Sequence, residues 1–178
     1  MTNHVMLDIE TLGAEKPAPV LSIGAVLFDE SGPSQHGNER FYTAIDPESL
    51  AEEGFVACPD TAAWWMQQSD PARHAAVQGD VTVRRAFRRF RSWYRGVRET
   101  VLWANPPTFD HVVLRGAYEH IDYDAPWHPA EARCCRTLDK LVPIEHPDRE
   151  GTHHNALDDA IHQARVAGQQ LAILEEAL

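Results

Sequence analysis

The chain has 178 residues, 43% of them apolar, with five tryptophans and a formal net charge of −11. That length suits one domain over residues 1–178 with a proper core, and the apolar fraction excludes a disordered chain. The acidic total excludes a protein that grips nucleic acid by a general basic surface. It does not exclude one whose clustered acids bind divalent metal and reverse the charge locally.

From the N-terminus, Met1 to His4 carries neither a basic stretch nor an apolar run of signal type, and no later segment approaches a membrane span. The three cysteines, Cys58, Cys134 and Cys135, form no CxxC pair and no even framework. A cytoplasmic, soluble protein with reduced thiols and no membrane partner is expected.

Val5 to Gly13 reads as the first strand. Val5, Leu7 and Ile9 alternate with Met6, Asp8 and Glu10, which is strand periodicity. Asp8 and Glu10 therefore leave one face with their Cα atoms roughly 6–7 Å apart. Two acids in an apolar strand are costly to bury unpaired; either a cation sits between them or the strand ends in solvent. Val20 to Phe28 is a second strand, the turn formers of Asp29 to Gly37 follow, and Glu39 to Ile45 is a third, giving a meander. A loop then runs to Pro59-Asp60-Thr61, where Asp60 or Thr61 can cap a helix carrying Trp64, Trp65 and Gln68.

A short helix is expected from Pro71 to Val77. From Val81, apolar residues recur at Val83, Phe87, Phe90, Tyr94 and Val97, a helical spacing that leaves Arg84, Arg85, Arg88, Arg89, Arg91, Arg95 and Arg98 on the other faces. Thr100 to Ala104 is a fourth strand, and Thr108 is placed to cap a helix from Phe109 to His120. Asp110 then lies in the first turn, where the helix dipole favours a carboxylate whether or not it does anything more. A short strand near Arg133–Cys135, a small helix at Leu138–Leu141 and the Pro143–Thr152 loop precede a final helix reaching Glu176. On that helix Ala160, Ala164, Ala167, Leu171 and Leu174 form the apolar stripe. At about 100° per residue, Asp158 points away from the stripe while Asp159 lies at its flank, facing the sheet. His153 and His154 fall on the loop just before it. Strands followed by helices alternating with strands make an α/β layered protein.

These stretches carry a resemblance. Asp8-Ile9-Glu10-Thr11 resembles the first motif of the DEDD 3′–5′ exonucleases. Asn105, Phe109 and Asp110 resemble the second, with Pro106 where relatives often have glycine. His154-x-Ala156-x-x-Asp159 resembles the third, and Asn155 stands where the tyrosine-type branch has its Tyr, so the likeness is to the histidine type, DEDDh. The wording Asp-Ile-Glu-Thr-Leu-Gly, Trp-Trp-x-x-Gln and His-Asn-Ala-Leu-Asp-Asp is most similar to single-domain exonucleases related to RNase AS and to exonuclease VIII-like proteins.

The resemblance implies an RNase H-like fold, a central mixed sheet of about five strands flanked by helices. It implies two divalent ions, Mg²⁺ or Mn²⁺, with Asp8 bridging them, Glu10 and Asp159 completing one site and Asp110 supporting the other. His154 is then the general base, and a 5′-mononucleotide leaves the 3′ end of single-stranded RNA or DNA, with RNA slightly favoured. Thr11, Leu12, Asn105 and Phe109 are expected beside the substrate. Of the adjacent Trp64 and Trp65, about 100° apart on a helix, Trp65 with Gln68 is taken as the substrate side. The arginine-rich helix reads as a solvated face, as a guide for the strand beyond its 3′ end, or, since such enzymes are often dimeric, as a homodimer contact. Two rival readings use the same fold: an inactive module that binds nucleic acid or a partner, and a proofreading exonuclease subunit.

Overall fold

The structure is a computed structural model and describes residues 3–97 and 100–177; Arg98, counted above in the arginine-rich helix, lies outside them. Six strands form one sheet: β1 (Asn3–Thr11), β2 (Val20–Asp29), β3 (Gly32–Pro33), β4 (Arg40–Ala44), β5 (Thr100–Ala104) and β6 (Ala132–Cys134). The order is β3-β2-β1-β5-β6, with β4 also paired to β2. β1 pairs antiparallel with β2 and parallel with β5, so it is central and has helices on both faces.

The period-two pattern of β1 divides its side chains between two cores. Val5, Leu7 and Ile9 join Leu21, Ile23, Phe87, Phe90, Leu114 and Tyr118 in the larger one. Met6 enters a smaller one with Val26, Phe28, Ala160, Ala164 and Ala167. Asp8 and Glu10 continue the Met6 face past the end of that smaller core.

The helices are α1 (Pro47–Glu52), α2 (Pro59–Trp65), α3 (Asp70–Val77), α4 (Val83–Gly96), α5 (Asp110–His120), α6 (Cys135–Leu141) and α7 (Ala156–Glu176). Helix α1 occupies a stretch expected to be loop; Asp46 caps it by accepting from the Glu48 amide at 3.0 Å, with Pro47 in its first turn. The caps of α2 and α5 also differ from expectation. Helix α2 begins after Cys58, ahead of Asp60 and Thr61, and α5 begins after Phe109; neither cap position makes a side-chain bond. The exposed Thr108 therefore does not cap α5. Among the described residues, no helix is long and apolar enough to cross a membrane.

Two glycines let α7 lie directly on the sheet. A Cβ on Gly24 would stand 2.2 Å from the Ala156 carbonyl carbon, and one on Gly168 would stand 2.6 Å from the Asp29 carbonyl oxygen. Gly24 is also the residue that pairs with Asp8. The close approach at Gly24 thus brings the first turn of α7 beside the acidic pair of β1.

Candidate metal centre and active site

Three elements converge where the smaller core ends. β1 supplies Asp8 and Glu10, the first turn of α7 supplies Asp159, and the N-terminus of α5 supplies Asp110. Carboxylate oxygens of Asp8, Glu10 and Asp159 lie within 4.8 Å of one another. Asp110 is buried and sits close enough to raise the proton affinity of both Asp8 and Glu10. Asp158, by contrast, turns back to accept from the Thr152 amide at 2.7 Å.

The electrostatics follow from crowding acids in a dry place. Burial pushes Glu10 up to about 8, with Asp159 and Asp110 adding to the effect. Burial pushes Asp110 up to about 7, although backbone hydrogen bonds involving Ile9, Asp110 itself and Asn105 hold it down. Asp8 is raised well above the ordinary carboxylate range by burial, then by Asp110, Glu10 and Asp159; the amide of Gln163 opposes this. A cluster that resists holding its own charge calls for a cation. An all-oxygen donor set suits a hard divalent ion such as Mg²⁺ or Mn²⁺, so these residues fit a metal.

The loop before α7 closes over the cluster. The guanidinium of Arg149 bonds Asp159 Oδ1, and the His154 amide donates to Asp159 Oδ2 at 2.9 Å. His154 has φ +65°, a conformation that turns its ring over the acids, with Nδ1 4.0 Å from Glu10 Oε1. Burial, helped by His153, lowers the pKa of His154 and favours the neutral ring. Nitrogens of His153 and His154 also lie within 4.8 Å of an Asp159 oxygen, a second donor set that shares Asp159 with the first.

The structure separates the two tryptophans, and the choice made from sequence is corrected. Trp65 is only 6% exposed and donates Nε1 to the Thr11 carbonyl at 2.9 Å, so it is a core residue that fixes the end of β1. Trp64 is 41% exposed and its ring meets that of His154 at 4.8 Å. Gln68 lies just past the end of α2 and bonds back to that helix, donating to the Trp64 carbonyl at 3.1 Å. A cleft beside the acids is lined by Glu10, Thr11, Gly13, Thr61, Trp64 and Phe109, which places Thr11 and Phe109 at the site. The Thr11 hydroxyl is already engaged, donating to the Gly13 carbonyl at 2.7 Å. Leu12 lines a separate apolar groove with Trp65 and Met66. Asn105 does not line that cleft; it borders a separate depression with Cys135, Asp139 and Gln163, and its Oδ1 accepts from Arg136 Nε at 3.1 Å.

Two residues at the site were not singled out from sequence. Gln163 donates Nε2 to Asp8 Oδ1 at 2.8 Å, and its position one turn past Asp159 on the same helix was the only signal for it. Arg149 lies in an aperiodic loop that carried none.

A family model described as the 3′–5′ exoribonuclease Rv2179c-like domain matches residues 3–171. Among solved structures, the chain is similar to exonuclease I, at 14% identity and a TM-score of 0.65 over 97% of this chain and 41% of that one. It is similar to E. coli exonuclease I in complex with a dT13 oligonucleotide, at 14% identity and a TM-score of 0.63 over 99% of this chain and 43% of that one. Cell-death related nuclease 4 follows at 11% identity and a TM-score of 0.60, over 97% of this chain and 64% of that one. The likeness to these structures is one of fold, RNase H-like as expected, and the chain spans about two fifths of the exonuclease I chains it matches. No curated protein matches it.

Proposed function

Because this chain belongs to the family of Rv2179c-like 3′–5′ exoribonuclease domains, we propose that it is a metal-dependent 3′–5′ exonuclease, acting as one domain on single-stranded RNA in preference to DNA. Family and fold together bear out the DEDDh-type resemblance. The observation that carries the proposal for the site is the convergence of Asp8, Glu10 and Asp159 within 4.8 Å, with Asp110 beside them.

Asp8, Glu10 and Asp159, with Asp110, are the residues that would hold two divalent ions. Such ions, when bound, supply Lewis acidity to the phosphate and acidify water. The protein's own groups do the rest. The neutral ring of His154 accepts the proton of the attacking water, and its low pKa keeps it available as a base near neutral pH. The ring of Trp64 offers the terminal base a stacking platform at the cleft, which Thr11 and Phe109 also line. Gln163 orients Asp8 by its hydrogen bond. The product is a 5′-mononucleotide.

The bond between Arg149 and Asp159 is the one observation that suits an inactive module instead, since an internal cation neutralises one acid. It leaves Asp8 and Glu10 without a cationic side chain among the described residues, so the need for metal persists. A linear RNA consumed from its 3′ end in Mn²⁺, beside an intact circular RNA of the same sequence, tests the proposal. Cutting of the circle contradicts it, as does survival of the linear strand.

A further inference from the structure

Helix α4 presents a run of cations to solvent that the fold itself does not use. It holds six arginines and no acidic residue in a chain of net charge −11. Val83, Ala86, Phe87, Phe90 and Tyr94 bury its other face. Arg84 has a structural task, bonding both carboxylate oxygens of Glu53. Among the described residues, Arg85, Arg89, Arg91 and Arg95 have no carboxylate partner, and Arg88 reaches only the Tyr123 hydroxyl at 3.3 Å. Arg88, Arg91, Ser92, Arg95 and Gly96 line one open depression over two turns.

Like charges three and four residues apart, as at Arg85–Arg88, Arg88–Arg91 and Arg91–Arg95, destabilise an isolated helix. Arg84 and Arg85 also sit at the N-terminal end, where the dipole disfavours cations. A face that repels itself is relieved by an anion. Guanidinium groups match phosphate oxygens in a bidentate way, and the depression carries no exposed aromatic or aliphatic side chain that would enter a lipid layer. The helix lies beside the one that bears Asp110. The Tyr118 hydroxyl of α5 donates to the Phe87 carbonyl of α4 at 2.8 Å, and their rings stack at 4.4 Å. Along α5, Tyr118 is roughly 12 Å from Asp110 at the usual helical rise.

We propose that the Arg88–Arg91–Arg95 face of α4 is a secondary binding surface for the phosphate backbone of single-stranded nucleic acid, engaging the strand at a distance from its 3′ end. The surface rests on the exonuclease reading for its choice of polyanion. It acts by charge, without reading sequence, and so favours long strands over short ones.

The test compares wild type with the Arg88→Ala/Arg91→Ala/Arg95→Ala variant, and with Lys at the same three positions. Binding of a trinucleotide and of a strand of about 20 nucleotides is measured in Ca²⁺ by fluorescence anisotropy across a salt series, with Mn²⁺-dependent cleavage of the trinucleotide assayed separately. The Ala variant is expected to bind the long strand about tenfold or more weakly at low salt, with a salt slope shallower by about 2 for three lost contacts. Trinucleotide binding and cleavage stay unchanged, the Lys variant recovers most of the loss, and oligoglutamate competes poorly. Unchanged affinity and slope for the long strand overturn the proposal, as does equal competition by oligoglutamate. If the trinucleotide is never cleaved while the long strand still binds through these arginines, the exonuclease reading fails and the surface stands.

Discussion

Gln163 of α7 reaches Asp8 of β1 across 155 positions of sequence, its Nε2 donating to Oδ1 at 2.8 Å. The bond fixes one carboxylate oxygen of the central acid and leaves the other for a cation. Replacing Gln163 with Leu keeps the volume and removes the donor. Outer-shell groups of this kind typically change metal affinity or activity by about 10- to 100-fold. Gln163→Leu is expected to weaken Mn²⁺ binding by that factor in calorimetry, with much of the rate recovered at saturating metal. A lowered Tm with unchanged Mn²⁺ affinity would mark Gln163 as merely structural.

The acid cluster makes the metal-free protein sensitive to alkali. Glu10 and Asp110 are raised to about 8 and about 7 in the fold, against roughly 4 in an unfolded chain. The folded state therefore holds protons that the unfolded state has lost, and stability present at low pH disappears as pH rises through these values. His111, lowered by burial to about 4, works in the opposite sense only below its ordinary value of about 6.5. In EDTA, Tm is expected to fall between pH 6.5 and 8.5. With saturating Mn²⁺, which binds the deprotonated carboxylates, the decline flattens or reverses. A Tm in EDTA that rises over this range would contradict the electrostatic account.

Arg149 stands at Asp159 as an internal counter-ion, so it and a metal compete for the same oxygen. Arg149→Ala is expected to tighten Ca²⁺ binding several-fold by calorimetry while costing the metal-free protein about 1–3 kcal/mol, the usual penalty for stranding a buried polar group. Weaker Ca²⁺ binding in the variant would show that Arg149 supports the metal site instead of opposing it.

The two tryptophans should separate by what they change. Trp64→Ala removes an exposed ring beside His154, and KM for RNA should rise by about 5- to 100-fold, the usual range for one lost base stack, with Tm nearly unchanged. Trp65→Ala removes a core ring and its bond to Thr11, at a cost of about 3–5 kcal/mol in stability. If Trp65→Ala leaves stability intact and raises KM, the assignment of the two rings is reversed.

The parts of the site that were legible in sequence are those set by local periodicity. Alternation along β1 put Asp8 and Glu10 on one face, and the stripe of α7 distinguished Asp159 from Asp158. The strand at Thr100–Ala104 was legible from its β-branched and aromatic run. Features set by tertiary contact were not. Helix α2 has seven residues and a single buried one, too little periodicity to tell Trp64 from Trp65. Helix α1 has six residues, and its apolar content lacks a helical stripe. The packing of α7 against Gly24 of β2 and the reach of Arg149 from its loop depend on chain segments more than a hundred and about ten positions apart, which no local pattern records.

The most direct test of the account is a time course on 5′-labelled single-stranded RNA and matched DNA in Mn²⁺, with Asp8→Ala and EDTA alongside. The account predicts a ladder shortening by single nucleotides from the 3′ end, faster on RNA, and abolished both by Asp8→Ala and by EDTA. Intact substrate with the wild type in Mn²⁺, or a ladder that persists in Asp8→Ala, would contradict it.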